Sequence, residues 1–156
     1  MSPLKESKIS TKPFDAEDAA GIDQIAEGAL RLLKLKPSSS AATKMNKIAE
    51  FIDEHLHKNK ESGDQSLIGL ASQLACLYGN ILRDEMGWDW WTVKENGGEF
   101  LGIGPADRTV VLTPVGYIYS QMTAPATGDN TSMLLFNMIR AGNLPKGRPG
   151  ELVRIG

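Results

Sequence analysis

The side chains best suited to chemistry are few, and their spacing keeps them apart. His55 and His57 stand two positions apart in the run IDEHLHK. On a helix such a pair diverges, whereas a metal shared along one face needs ligands at i and i+4. Cys76, the single cysteine, lies in the apolar run LASQLACLYG, so it has no partner for an intrachain disulfide and belongs to a different helix from the histidines. Asp84, Glu85 and Asp89 crowd a helix end, where carboxylates ordinarily face water, and no neighbouring residue marks one of them as desolvated for acid or base work. No G-x-S-x-G elbow and no Walker loop occurs. Gly102-Ile103-Gly104 starts like a dinucleotide fingerprint, but Pro105-Ala106-Asp107 stands where the third glycine is needed, so the segment reads as a strand end. The expectation is therefore a protein with no metal, no cofactor and no catalytic residue. The rival is an enzyme whose site assembles from dispersed carboxylates and Tyr78, Tyr117 and Tyr119.

The elements that would position these groups are legible in stretches. Residues 1 to 13 are polar, contain Pro3 and Pro13, and lack periodicity, which predicts a flexible lead-in before a single α+β domain over 14 to 156. Asp15, with Asp18 three positions on, marks a helix start. Ile22, Ile25, Ala26, Ala29, Leu30 and Leu33 continue at helical spacing to about Lys36. Pro37 and the serines after it break the chain, and Met45, Ile48, Ala49, Ile52 and Leu56 predict a second amphipathic helix. ESGD at 61 to 64 breaks it again. Leu67, Leu70, Ala71, Leu74, Tyr78, Ile81 and Leu82 then form the broad stripe of a third, central helix, ended by Gly87. The helical part thus spans 14 to 86.

After Gly87 the period changes. WDWWTVKE, Asn96-Gly97 and GEFLGIG predict a hairpin on a type I′ turn, with Lys94 opposite Glu99, Val93 opposite Phe100, Trp91 opposite Gly102 and Trp90 opposite Ile103. TVVLT at 109 to 113 supplies a third strand. Residues 114 to 123 read equally as a short helix or an extended segment. A helix from Asn130 or Thr131 to Gly142 follows, and the basic tail NLPKGRPGELVRIG includes ELVRI as a candidate strand. The fold class is α+β: three N-terminal helices packed on a small antiparallel sheet, with a further C-terminal helix.

All three tryptophans lie in GWDWW. Along a strand Trp88 and Trp90 share one face, and Trp91 and Val93 share the other. One core cannot hold all three. Either helices cover both faces, with the three N-terminal helices on one side and the 131 to 141 helix on the other, or one face is a binding surface with Trp91 as its aromatic anchor. The candidate partner-binding residues on the second reading are Asp89, Trp91 and Glu95, joined by Arg148 and Arg154 of the tail.

Charge narrows the partner little. Seventeen basic residues against nineteen acidic give a net charge of −2, neither the cationic field that nucleic acid attracts nor the anionic field of a nucleic-acid mimic. No segment approaches the apolar length needed to span a bilayer, and the N-terminal MSPLKESKISTKPF lacks a signal-peptide core. The expected location is the cytoplasm, and the expected partner is neither nucleic acid nor membrane.

The succession LACLYGNILRDEMGW, a Trp-rich hairpin, and TVVLTPVGYIYSQM, over about residues 67 to 123, resembles small bacterial domains of unknown function found alone or beside toxin genes. Where those domains carry an acidic residue after the helix glycine, this chain has Asn80. The resemblance implies an α+β cytoplasmic domain acting as an immunity protein that binds and neutralises a cognate toxin. A regulatory adaptor, or a homodimer formed through the same hairpin face, is the third alternative.

Overall fold

The computed structural model describes residues 9–58, 65–123, 128–145, 147–148 and 152–156. The elements run β1 (Ser10–Pro13), α1 (Ala16–Leu32), α2 (Ala41–Lys58), α3 (Gln65–Met86), β2 (Asp89–Glu95), β3 (Gly98–Gly104), β4 (Val110–Leu112), α4 (Pro114–Thr123), α5 (Ser132–Ala141) and β5 (Val153–Ile155). The fold is α+β. The strands form one sheet in chain order, antiparallel from β1 through β4 and parallel between β4 and β5. The sheet is therefore mixed rather than purely antiparallel, because β5 returns to the far edge alongside β4 only after α4 and α5 have intervened.

The helix ends follow local chemistry. Asp15 accepts from the backbone N–H of Asp18 at 2.8 Å, and Asp18 accepts from that of Asp15 at 3.3 Å, a reciprocal cap that satisfies two orphan donors. Ser40 accepts from the Thr43 N–H at 3.1 Å at the start of α2. α1 ends at Leu32 rather than near Lys36. Lys34 takes a left-handed φ of 56° and Leu35 N–H closes on Leu30 C=O at 2.8 Å, so a lysine occupies the position that glycine usually signals. Gly87 and Gly142 take the expected left-handed conformation after α3 and α5.

Residues 114 to 123 are helical, with Pro114 at the first position, where its missing N–H is not needed. The lead-in expected over 1 to 13 is corrected in part. Residues 1 to 8 lie outside the described residues, but Ser10–Pro13 pair with β2 from Ser10 opposite Lys94 to Pro13 opposite Trp91. A four-residue edge strand tolerates proline, since only one side of it must donate to a neighbour. The ESGD break also lies outside the described residues.

One large core joins the helices to one face of the sheet. Ile22, Ala29, Ile48, Ile52, Leu74, Tyr78, Leu82 and Phe136 meet Trp88, Trp90, Ile103 and Leu112 there. Leu135, Phe136 and Ile139 of α5 belong to this same core. That corrects the expectation that the 131 to 141 helix covers the opposite face. The opposite face holds a small separate cluster of Trp91, Val93 and Val111, covered by Ile9 and Leu152.

Candidate functional site

The hairpin has the expected register throughout: Trp90 lies opposite Ile103, Trp91 opposite Gly102, Val93 opposite Phe100 and Lys94 opposite Glu99. Asn96 (φ 51°) and Gly97 (φ 78°) form the turn, both left-handed as a type I′ turn requires. Strand alternation then sends Trp90 towards α3. Its ring occupies the space that a side chain at Gly79 would fill, and its indole N–H donates to Asn80 Oδ1 at 3.0 Å. Asn80 in turn donates through Nδ2 to Asp23 Oδ1 at 3.0 Å, and Arg83 reaches the same oxygen at 3.0 Å and Asp84 at 2.9 Å. The amide at position 80 thus serves as acceptor for an indole and donor to a carboxylate at once, which an acidic residue there would not do. Phe14 stacks on Trp90 with centroids 6.1 Å apart.

Trp91 is only 4% exposed. It packs in the small second cluster, with the Arg108 guanidinium 6.0 Å from its ring centroid. Its reading as an exposed anchor is therefore corrected. Ile9 and Leu152, residues distant in sequence, pack against the cluster of Trp91, Val93 and Val111, and the Trp91 ring lies over Gly104. Arg108 is aimed by the loop between β3 and β4: it takes φ 55°, while the Asp107 carboxylate accepts from Thr109 N–H at 3.1 Å and Thr109 hydroxyl at 2.8 Å. Asp89 is exposed and borders a cleft of about 390 Å³ with Phe14, Arg83, Trp88 and Arg108.

The other end of the hairpin is built differently. Glu95 accepts from Arg154 Nη2 at 2.6 Å, tying β2 to β5, and Lys94 lies 3.6 Å from Glu99. Between the turn and α4 opens a cleft of about 600 Å³, lined by Ile68, Phe100, Leu101, Thr113, Val115 and Tyr119 with Glu99 and Arg154 beside them. Phe100 is 49% exposed and Ile68 44% exposed, an uncovered apolar pair of the kind that marks interaction sites when it borders a concavity. The five sequence candidates thus fall in three places. Asp89 and Trp91 border one cleft, Glu95 and Arg154 pair at the other, and Arg148 stands exposed in the tail. Phe100 was legible only as an apolar residue of the second face, and Ile68 fell outside the apolar stripe read for its helix.

The remaining reactive groups are committed to structure. Tyr78 donates to Ser132 C=O at 2.8 Å, and burial raises its pKa well above the ordinary value. Tyr117 shares a 2.8 Å hydrogen bond with Thr131, and burial pushes its pKa up to about 12. Neither is a base near neutrality. Burial likewise raises the Cys76 thiol to about 11. His55 stacks on Phe51 at 4.6 Å, while the side chain of His57 lies outside the described residues. Among the described residues no three His, Cys, Asp or Glu side chains gather as a metal site would require, and no helix is long and apolar enough to cross a membrane. No family model, curated protein or solved structure matches the chain.

Proposed function

We propose that the protein is a cytoplasmic protein-binding domain, of the immunity type, that neutralises a cognate toxin by docking it on the hairpin. The observation that carries this reading is the half-exposed pair Ile68 and Phe100 bordering the 600 Å³ cleft. Large apolar side chains left uncovered beside a concavity are stabilised by a partner that excludes water from them, and a few such anchors supply most of the binding energy of an interface. With Trp91 buried, Phe100 replaces it as the aromatic anchor. Arg154 and its partner Glu95, at the edge of this cleft, contribute orientation more than affinity, while Asp89 at the other end of the hairpin and Arg148 in the tail are further contacts outside it. Tyrosines held by hydrogen bonds and raised pKa values support binding over catalysis.

The test is rescue of bacterial growth. A toxin encoded beside this gene should be neutralised by co-expression of the protein, and Phe100→Asp together with Ile68→Asp should abolish rescue while the far-ultraviolet circular dichroism and melting temperature stay near those of the parent. Rescue that survives both substitutions would remove the cleft from the interface. Absence of any toxic neighbour, with no growth phenotype, would remove the immunity reading altogether.

A further inference from the structure

From the pairing register we infer that the open edge of β3 takes up an extended peptide segment of the partner as an added strand, with an uncharged apolar side chain seated in the adjoining cleft. This rests on the protein-binding reading and specifies what the partner presents. The two-residue turn at Asn96-Gly97 makes Glu95 and Gly98 a hydrogen-bonded pair, and in an antiparallel ladder bonded and non-bonded pairs alternate. Val93 with Phe100 and Trp91 with Gly102 are then bonded pairs, so the backbone groups of Glu99, Leu101 and Ile103 point away from β2. Ile103 meets Leu112 of β4. β4 is only three residues long, and the chain turns into α4 at Pro114. Among the described residues, therefore, no strand lies opposite Glu99 and Leu101 on that side. Their N–H and C=O groups recur at the two-residue spacing that an incoming strand matches.

The surroundings decide the occupant. The open stretch lies in a recess walled by Ile68 of α3 and by Val115 and Tyr119 of α4. Strands pair at about 4.8 Å, and two copies of a recessed edge would meet at those walls before reaching that distance, whereas a protruding extended segment would fit. The charges at the rim are already paired, Glu99 with Lys94 at 3.6 Å and Arg154 with Glu95 at 2.6 Å. A charged side chain entering the cleft would lose water without gaining a free counter-charge among the described residues, so an uncharged one is the complement.

The probe is a capped hexapeptide of alternating threonine and valine, added at millimolar concentration to the full ¹⁵N-labelled chain. Amide hydrogen exchange at Glu99 and Leu101 should slow by at least about tenfold, while the amide of Phe100, already paired with β2, is unchanged. The same peptide N-methylated at alternate amides should give no slowing. Three results would overturn the inference: no slowing at millimolar peptide, equal slowing with the N-methylated peptide, or slowing that follows protein concentration without peptide, which would mean a second copy. If rescue from a toxin depends on Phe100 but the two amides stay unprotected, strand addition falls and the protein-binding reading stands. If the amides are protected but no toxin is neutralised, immunity falls and the peptide site stands.

Discussion

The two faces of the same hairpin are covered by different means. Trp90 is held by a helix: it fills the gap left by Gly79, donates to Asn80 and belongs to the main core with α3. Trp91, next to it in the chain, belongs to a small cluster with Val93 and Val111 against which, among the described residues, the partly buried apolar side chains are single ones, Ile9 and Leu152, with Arg108 over its ring. Nearly equal burial of two indoles thus arises once from dense packing and once, among the described residues, from a thin cover. Rigid surroundings collapse less when a side chain is removed, so the two faces should differ in response more than in exposure.

The largest effect should come from the dense side. Leu74 is fully buried on α3, and Leu74→Asp places an unpaired charge in the main core, which should leave no cooperative thermal transition. A folded Leu74→Asp variant would show that α3 is not central. Next come the tryptophans. Trp90→Ala should destabilise by about 5 kcal/mol, the top of the range for such truncations, and Trp91→Ala by about 3 kcal/mol, because its thin cover can close over the gap. Urea denaturation of both variants measures the difference, and equal losses would erase the distinction between the faces.

The hairpin was readable because its determinants are local: Asn96-Gly97 sets the turn, and one register then follows for every pair up to Asp89 opposite Gly104. Helix starts were readable for the same reason, as Asp15 and Asp18 show. What escaped depends on distant residues. β1 has four residues, one a proline, and no period of its own; only its pairing with β2 defines it. The cluster around Trp91 is joined by Ile9 and Leu152, two residues that no local pattern links. The cleft at Phe100 arises from unequal strand lengths, seven residues in β3 against three in β4, so its site is set by where β4 stops.

A third expectation follows from ionisation and again separates the faces, since Cys76, Tyr78 and Tyr117 all lie in the main core. Burial raises Cys76 from 9.0 to about 11 and Tyr117 from 10.0 to about 12. A group whose folded pKa is raised contributes stability that is intact below its unfolded value and is lost as pH climbs to the folded one. The unfolded chain gives up these protons first, so stability should fall from about pH 9 upward, with the Cys76 share amounting to about 2 kcal/mol once pH 11 is reached. Denaturation midpoints measured from pH 8 to 11 should decline, and Cys76→Ala should flatten the first part of that decline. A flat profile in the parent would mean that the core admits water at Cys76.

The smallest effect belongs to the hairpin's turn end, where the sheet is tied by charge. Arg154 and Glu95 meet at 2.6 Å, with side chains 43% and 15% exposed. Partial exposure lets water screen the pair, and each long side chain gives up rotamer freedom to hold it, so a double-mutant cycle of Glu95→Gln and Arg154→Gln should give a coupling of no more than about 1 kcal/mol. The coupling should shrink as salt is raised towards 1 M, where screening acts within about 3 Å. The pair has a second consequence, because Arg154 borders the cleft and its bond to Glu95 keeps the guanidinium from an incoming segment. Breaking the pair by Glu95→Gln frees that charge at the rim. Stability should then barely move, while the specificity of the cleft shifts from uncharged peptides towards those carrying a carboxylate. A coupling well above 1 kcal/mol that resists salt would instead place the pair among the main supports of β5, and the turn end would then resemble the helix-covered face more than the thin one.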